Sequence, residues 1–181
     1  MKYLRCAVVS QYIGDPNTFE SLNIRDIVKN VKMTNTDIID HLMMILSTLD
    51  HLHCAGLVIG DLKADNCLYD KVSNMWKVVD MGMSILQGTK VDYMWNYGIR
   101  SPDECQSFLK MHRQIAPETV YFNILGKESD IYRVGRIIEY VYNKRESLKP
   151  FLQPIAEACL STYTLRPKLK DVYSYLFTYD G

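Results

Sequence analysis

At 181 residues the chain is long enough for one domain with a sizeable core, and 48% hydrophobic with 23% charged residues is ordinary for a globular fold. Lys+Arg and Asp+Glu both number 21, so there is no basic field to gather nucleic acid or an anionic membrane. Cys6, Cys54, Cys67, Cys105 and Cys159 form no C-x-x-C pair, which argues against a zinc site or disulfide framework and for a reducing interior, cytoplasmic or nuclear.

The opening MKYLRCAVVSQYIG has too short an apolar run for a signal peptide, and no stretch reaches the length of a membrane span. Leu4–Ile13 is rich in β-branched residues and closes on the turn signal GDPN, which predicts a strand. SLNIRDIVKN predicts a short amphipathic helix. Thr34 and Asp37 then form a capping-box pattern ahead of Ile38, Leu42, Ile45, Leu49 and Leu52, whose spacing predicts a long helix over 36–53 that ends at Gly56. NCLYD and WKVVD read as two short strands around the turn KVSN.

From Met83 to Ile115 the period breaks down, predicting a long functional loop with some helix around DECQSFLKMH. Helical spacing returns in DIYRVGRIIEYVYN, with Ile131, Val134, Ile137, Ile138 and Val141 on one face, and continues in FLQPIAEACL and KLKDVYSYLF. The charged run NKRES reads as a solvated helix end. His53, at a helix terminus, is expected to meet the terminal carbonyls. With no repeat or linker, residues 1–181 read as one unit, mainly α with small β-hairpins.

Chemistry concentrates in GDLKADN and VVDMG. Phosphoryl transfer needs a carboxylate to orient the attacking hydroxyl, a cation near the moving phosphate, and oxygen ligands for magnesium. Asp61, Lys63 and Asn66 supply the first two and one ligand; Asp80, before the flexible Gly82, supplies another. Asp-x-Lys and Asp-x-Gly are each common patterns. Together, separated by a hairpin, they are specific.

In this order the motifs resemble those of the eukaryotic-type protein kinases. GDLKADN is similar to the catalytic loop H-R-D-L-x-x-x-N, and DMG to D-F-G. Ala116–Glu118 matches the A-P-E that closes the activation segment, SDIYRVGRII resembles the start of the central buried helix, and Arg166–Pro167 resembles the late arginine motif. The resemblance implies a helical C-lobe over 15–181, with a strand and hinge remnant over 1–14. It implies Asp61 as the catalytic base, Lys63 near the γ-phosphate, Asn66 and Asp80 as magnesium ligands, and Leu68 beneath the adenine of ATP. It also implies that Asp130 holds the catalytic-loop amides and that Glu118 pairs with Arg166.

The departures carry equal weight. Ile59-Gly60 stands where the family has His-Arg, so Gly60 offers no arginine to a phosphate in the activation segment. Met81 stands where the family has Phe. No G-x-G-x-x-G occurs in the chain, and CAVVSQYI is similar to the strand leading into the hinge, so the N-terminal lobe reads as largely missing.

This build resembles truncated, virus-type kinase-like regulators or pseudokinases. The expectation is a module that binds and modulates or inhibits another protein kinase by mimicking a C-lobe, with weak or absent binding of ATP and Mg2+. The alternative is an active or partner-completed Ser/Thr kinase. A third reading makes the Met83–Ile115 loop, with its DYMWNYG run, a scaffold contact. Partners in this reading are another kinase or its N-lobe, or a second copy of the chain, with no nucleic acid and no membrane.

Overall fold

The structure is a computed structural model, and it describes residues 22–89, 99 and 101–181. The strand expected at Leu4–Ile13, the hinge remnant over 1–14 and the DYMWNYG run lie outside the described residues. Elements run in the order β1 (Leu22–Asn23), α1 (Ile24–Lys29), α2 (Asn35–Cys54), β2 (Leu57–Val58), β3 (Cys67–Asp70), β4 (Met75–Val78) and β5 (Ile85–Leu86). Five more helices follow: α3 (Pro102–Met111), α4 (Pro117–Phe122), α5 (Lys127–Lys144), α6 (Lys149–Cys159) and α7 (Leu169–Leu176). The fold is mainly helical. Among the described residues the strands form one three-stranded sheet, ordered β1-β3-β4, and one β2-β5 pair.

The long helix α2 starts where its chemistry dictates. The Thr34 hydroxyl accepts from the Asp37 N–H, and Asp37 Oδ2 accepts from the Thr34 N–H at 2.7 Å, so orphan donors at the helix start are satisfied reciprocally. Ala55 caps the far end, and Gly56 takes φ +80°, a left-handed turn that releases the chain into β2. Ile38, Leu42, Ile45 and Leu49 are buried along one face of α2, in the same core cluster as Ile131, Val134, Ile138 and Val141 of α5 and Leu152 of α6. Each such side chain removed from water contributes roughly 1.5–3 kcal/mol.

Helix α5 is the spine of the fold, and α6 lies hard against it. A Cβ on Gly135 would stand 2.8 Å from the Cys159 Cβ and 3.1 Å from the Ala156 carbonyl, so only glycine permits this approach. Burial pushes the Cys159 thiol up to about 12, as it does that of Cys67, so both behave as small apolar fillers.

The β3–β4 hairpin docks on α2 through Trp76. Its indole N–H donates to His41 Nδ1 at 3.2 Å, and its carbonyl accepts from the Thr48 hydroxyl at 3.0 Å. Two features were not expected. The segment after Asp80 contributes β5, whose Ile85 and Leu86 pair antiparallel with Val58 and Leu57. A two-residue strand is too short for its period to register in sequence. In the run NKRES, Arg145 is not merely solvated: its guanidinium donates to the carbonyls of Val28, at 2.8 Å, and Asn30, joining the end of α5 to the end of α1.

Candidate active site

The loop between β2 and β3 is shaped from below by one buried carboxylate. Asp130, fully buried near the start of α5, accepts from the Ile59 N–H at 2.8 Å and the Gly60 N–H at 3.0 Å. His53 Nε2 lies 2.9 Å from the same carboxylate. His53 therefore does not cap carbonyls as expected. It stands one turn beyond Leu49 on the buried face of α2, so its ring points into the core toward Asp130. Gly60 takes φ +71°, a backbone state that a side chain disfavours and that turns its N–H to Asp130. Ile59 and Leu62, both fully buried, anchor the loop on either side.

On this platform Asp61, Lys63 and Asn66 form one knot. Lys63 Nζ donates to Asp61 Oδ2 at 2.7 Å. The Asn66 amide nitrogen donates to the Asp61 backbone carbonyl at 2.9 Å and to its Oδ2 at 3.1 Å. These bonds hold the Asp61 carboxylate in place. They also fix the Asn66 amide so that its carbonyl oxygen is the end left for another ligand.

The Val79 N–H donates to the Asn66 backbone carbonyl at 2.8 Å, extending the Cys67–Val78 pairing by one bond immediately before Asp80. Asp80 is itself left-handed, at φ 59° and ψ 68°, ahead of a tight turn at Met81–Met83. A non-glycine residue held there costs about 1–3 kcal/mol and marks a place where geometry is imposed by its surroundings. The chain beyond is pinned back by the β2–β5 pairing and by the Ser84 hydroxyl, which donates to the Ile59 carbonyl at 3.1 Å.

The Asn66 side-chain oxygen and the Asp80 carboxylate are hard oxygen donors, a set that fits magnesium. Magnesium bound there would neutralise charge on transferring phosphate oxygens. Leu68 lies half-buried on β3, opposite Lys77 and Asn23, and Met81 is exposed rather than packed.

A second charged centre fastens the segment that follows the site. Glu118, at the start of α4, accepts from Arg166 at 2.6 and 2.9 Å and from the Ser129 hydroxyl at 2.9 Å. Arg166 also donates to the carbonyls of Ser161 and Glu128 and lies 4.9 Å from the Tyr132 ring. All three nitrogens of this guanidinium donate hydrogen bonds.

Sequence reasoning missed Arg133. Its side chain is 1% exposed, and its Nη1 stands 3.7 Å from Asp61 Oδ1, beyond hydrogen-bond reach. The signal was present: Arg133 lies three residues after Asp130 and one turn before Ile137, at the edge of the apolar stripe of α5.

A model of the protein kinase domain matches residues 5–162, most of the chain. The chain belongs to the protein kinase family. Similar proteins include a probable serine/threonine-protein kinase, fnkB, of Dictyostelium discoideum, 27% identical over 112 residues, which cover 62% of this chain and 19% of that protein. Another is the serine/threonine-protein kinase nekl-2 of Caenorhabditis elegans, 27% identical over 138 residues, 76% of this chain and 34% of that protein. A third, shk2 of Schizosaccharomyces pombe, is 26% identical over 149 residues, 82% of this chain and 23% of that kinase. The chain thus spans about a third or less of the length of these kinase relatives. Kinases of this family use ATP and Mg2+. Among the described residues no helix is long and apolar enough to cross a membrane.

Proposed function

We propose that this kinase-family chain works as a C-lobe that engages the N-lobe of another protein kinase and modulates or inhibits it by standing in for that kinase's own C-lobe. One observation carries the reading. Asp61, Lys63 and Asn66 are held together by bonds internal to this lobe, while the sequence has no G-x-G-x-x-G loop to clamp phosphates. A clamp supplied by a second kinase's N-lobe would meet a preformed lower half, and that match supports the reading. Mixing the purified chain with intact Ser/Thr kinases and with their isolated N-lobes tests this. Capture of an N-lobe together with a change in that kinase's rate is the expected result; neither capture nor rate change across such a panel sinks the proposal.

A second reading is favoured by the Asp61 knot itself. Once completed by an N-lobe, the site transfers phosphate from ATP to a Ser or Thr hydroxyl. Asp61 aligns the hydroxyl and takes up its proton, Lys63 steadies charge on the phosphate, and Asn66 and Asp80 hold magnesium. Under this reading Asp61→Asn and Asp80→Asn each abolish transfer in the completed complex. Transfer that survives both substitutions assigns the activity to the partner alone.

A further inference from the structure

Beside the catalytic loop lies a cavity of about 250 Å³ whose walls carry Arg25, Lys63, Arg113, Arg133 and Arg136, against the single carboxylate of Glu139. These cations come from four separate segments: α1, the catalytic loop, the stretch before α4, and α5. Four are already within ion-pair distance of a carboxylate: Arg25 with Asp65 at 2.6 Å, Lys63 with Asp61 at 2.7 Å, Arg136 with Glu139, and, most loosely, Arg133 with Asp61 at 3.7 Å. Arg113 is exposed, with no ion pair among the described residues. Arg133 is the telling one. It is buried, yet its Nε and Nη1 have no hydrogen-bond partner.

Leaving guanidinium donors buried and unbonded is costly, and a native structure that does so usually keeps the place for a ligand. The ligand such donors select is an oxyanion, since the planar fork matches two oxygens at once. Cations approaching from several directions favour a tetrahedral dianion over a flat carboxylate.

We propose that this cavity binds a phosphorylated side chain of a polypeptide, phosphoserine or phosphothreonine, and so selects phosphorylated segments for the neighbouring Asp61 site. The proposal rests on the reading that Asp61 faces Ser or Thr hydroxyls. Lys63 belongs to both places: it lines the cavity and holds the Asp61 carboxylate. A phosphoryl group seated on Arg133 and Arg113 therefore sets the rest of its peptide beside Asp61. The site is distinct from a phosphate contact at Gly60, which has no side chain to make one.

The test is equilibrium binding of a short fluorescein-labelled, alanine-rich peptide bearing one phosphoserine and one serine, read by anisotropy without nucleotide or N-lobe. Binding at least about tenfold tighter than that of the unphosphorylated peptide is expected, with a further weakening as salt rises. Arg133→Met should lose about tenfold in affinity, and so should Arg113→Glu, whose exposed position leaves folding intact.

Equal binding of phosphorylated and plain peptides overturns the proposal, as does wild-type affinity in folded Arg113→Glu. Inorganic phosphate that binds as tightly as the phosphopeptide overturns the assignment to a polypeptide. Because the readout needs no phosphoryl transfer and no N-lobe, a failure here is separable from a failure of the proposed kinase role.

Discussion

Among the described residues Arg133 and Arg166 both have side chains only 1% exposed, and they are bonded in opposite ways. Arg166 is paired twice with Glu118, donates to two backbone carbonyls and lies against Tyr132. Arg133 faces the Asp61 carboxylate at 3.7 Å, and its Nε and Nη1 bond to nothing. A buried charge with all its donors spoken for acts as a fastener, and removing it strands its partner. A buried charge with idle donors costs the fold free energy and is free to act on something else.

The largest effect should come from breaking the fastener. Arg166→Met leaves Glu118 buried with only the Ser129 hydroxyl, and urea denaturation should show a loss of about 3–5 kcal/mol. Asp130→Ala strands the Ile59 and Gly60 amides and the His53 ring, for a loss of roughly 3 kcal/mol in the same measurement. It should also loosen the catalytic loop, seen as faster amide exchange at those two residues.

The smallest effect lies in the β3–β4 hairpin. The hydrogen bond from Lys77 to Asp70, backed by Ser73, holds the Asp70 carboxyl down from its ordinary 3.8 to about 2. A folded-state value below the unfolded one means the contribution is complete above pH 3.8 and fades as pH falls toward 2. Asp70→Asn should flatten the stability slope in that acid window and leave it unchanged near neutrality.

Much of the lobe was legible because its signals are local. The capping box at Thr34, the apolar rows of α2 and α5 and the turn KVSN each fall at or near the observed element boundaries. The knot of Asp61, Lys63 and Asn66 was legible as a set because its members lie within one loop of six residues. What sequence could not give were contacts made by tertiary approach. His53 was read as a helix-end histidine because its partner, Asp130, lies 77 residues away. The β2–β5 pairing and the docking of Arg145 on α1 are non-local in the same way. Arg133 escapes sequence reading for a different reason: it borders an apolar stripe, and periodicity counts only the residues that fit.

If the cavity is a phosphate site, Arg133 is held for a ligand rather than for the fold. The direct measurement is urea denaturation of Arg133→Met beside wild type, without any phosphopeptide. Replacing a buried guanidinium whose Nε and Nη1 lack hydrogen bonds with an apolar side chain of similar length removes their desolvation cost, while Lys63 still pairs with Asp61. Stability should therefore be unchanged or rise by about 1 kcal/mol. A loss of several kcal/mol, matching that of Arg166→Met, would show that Arg133 is a second fastener and contradict the account.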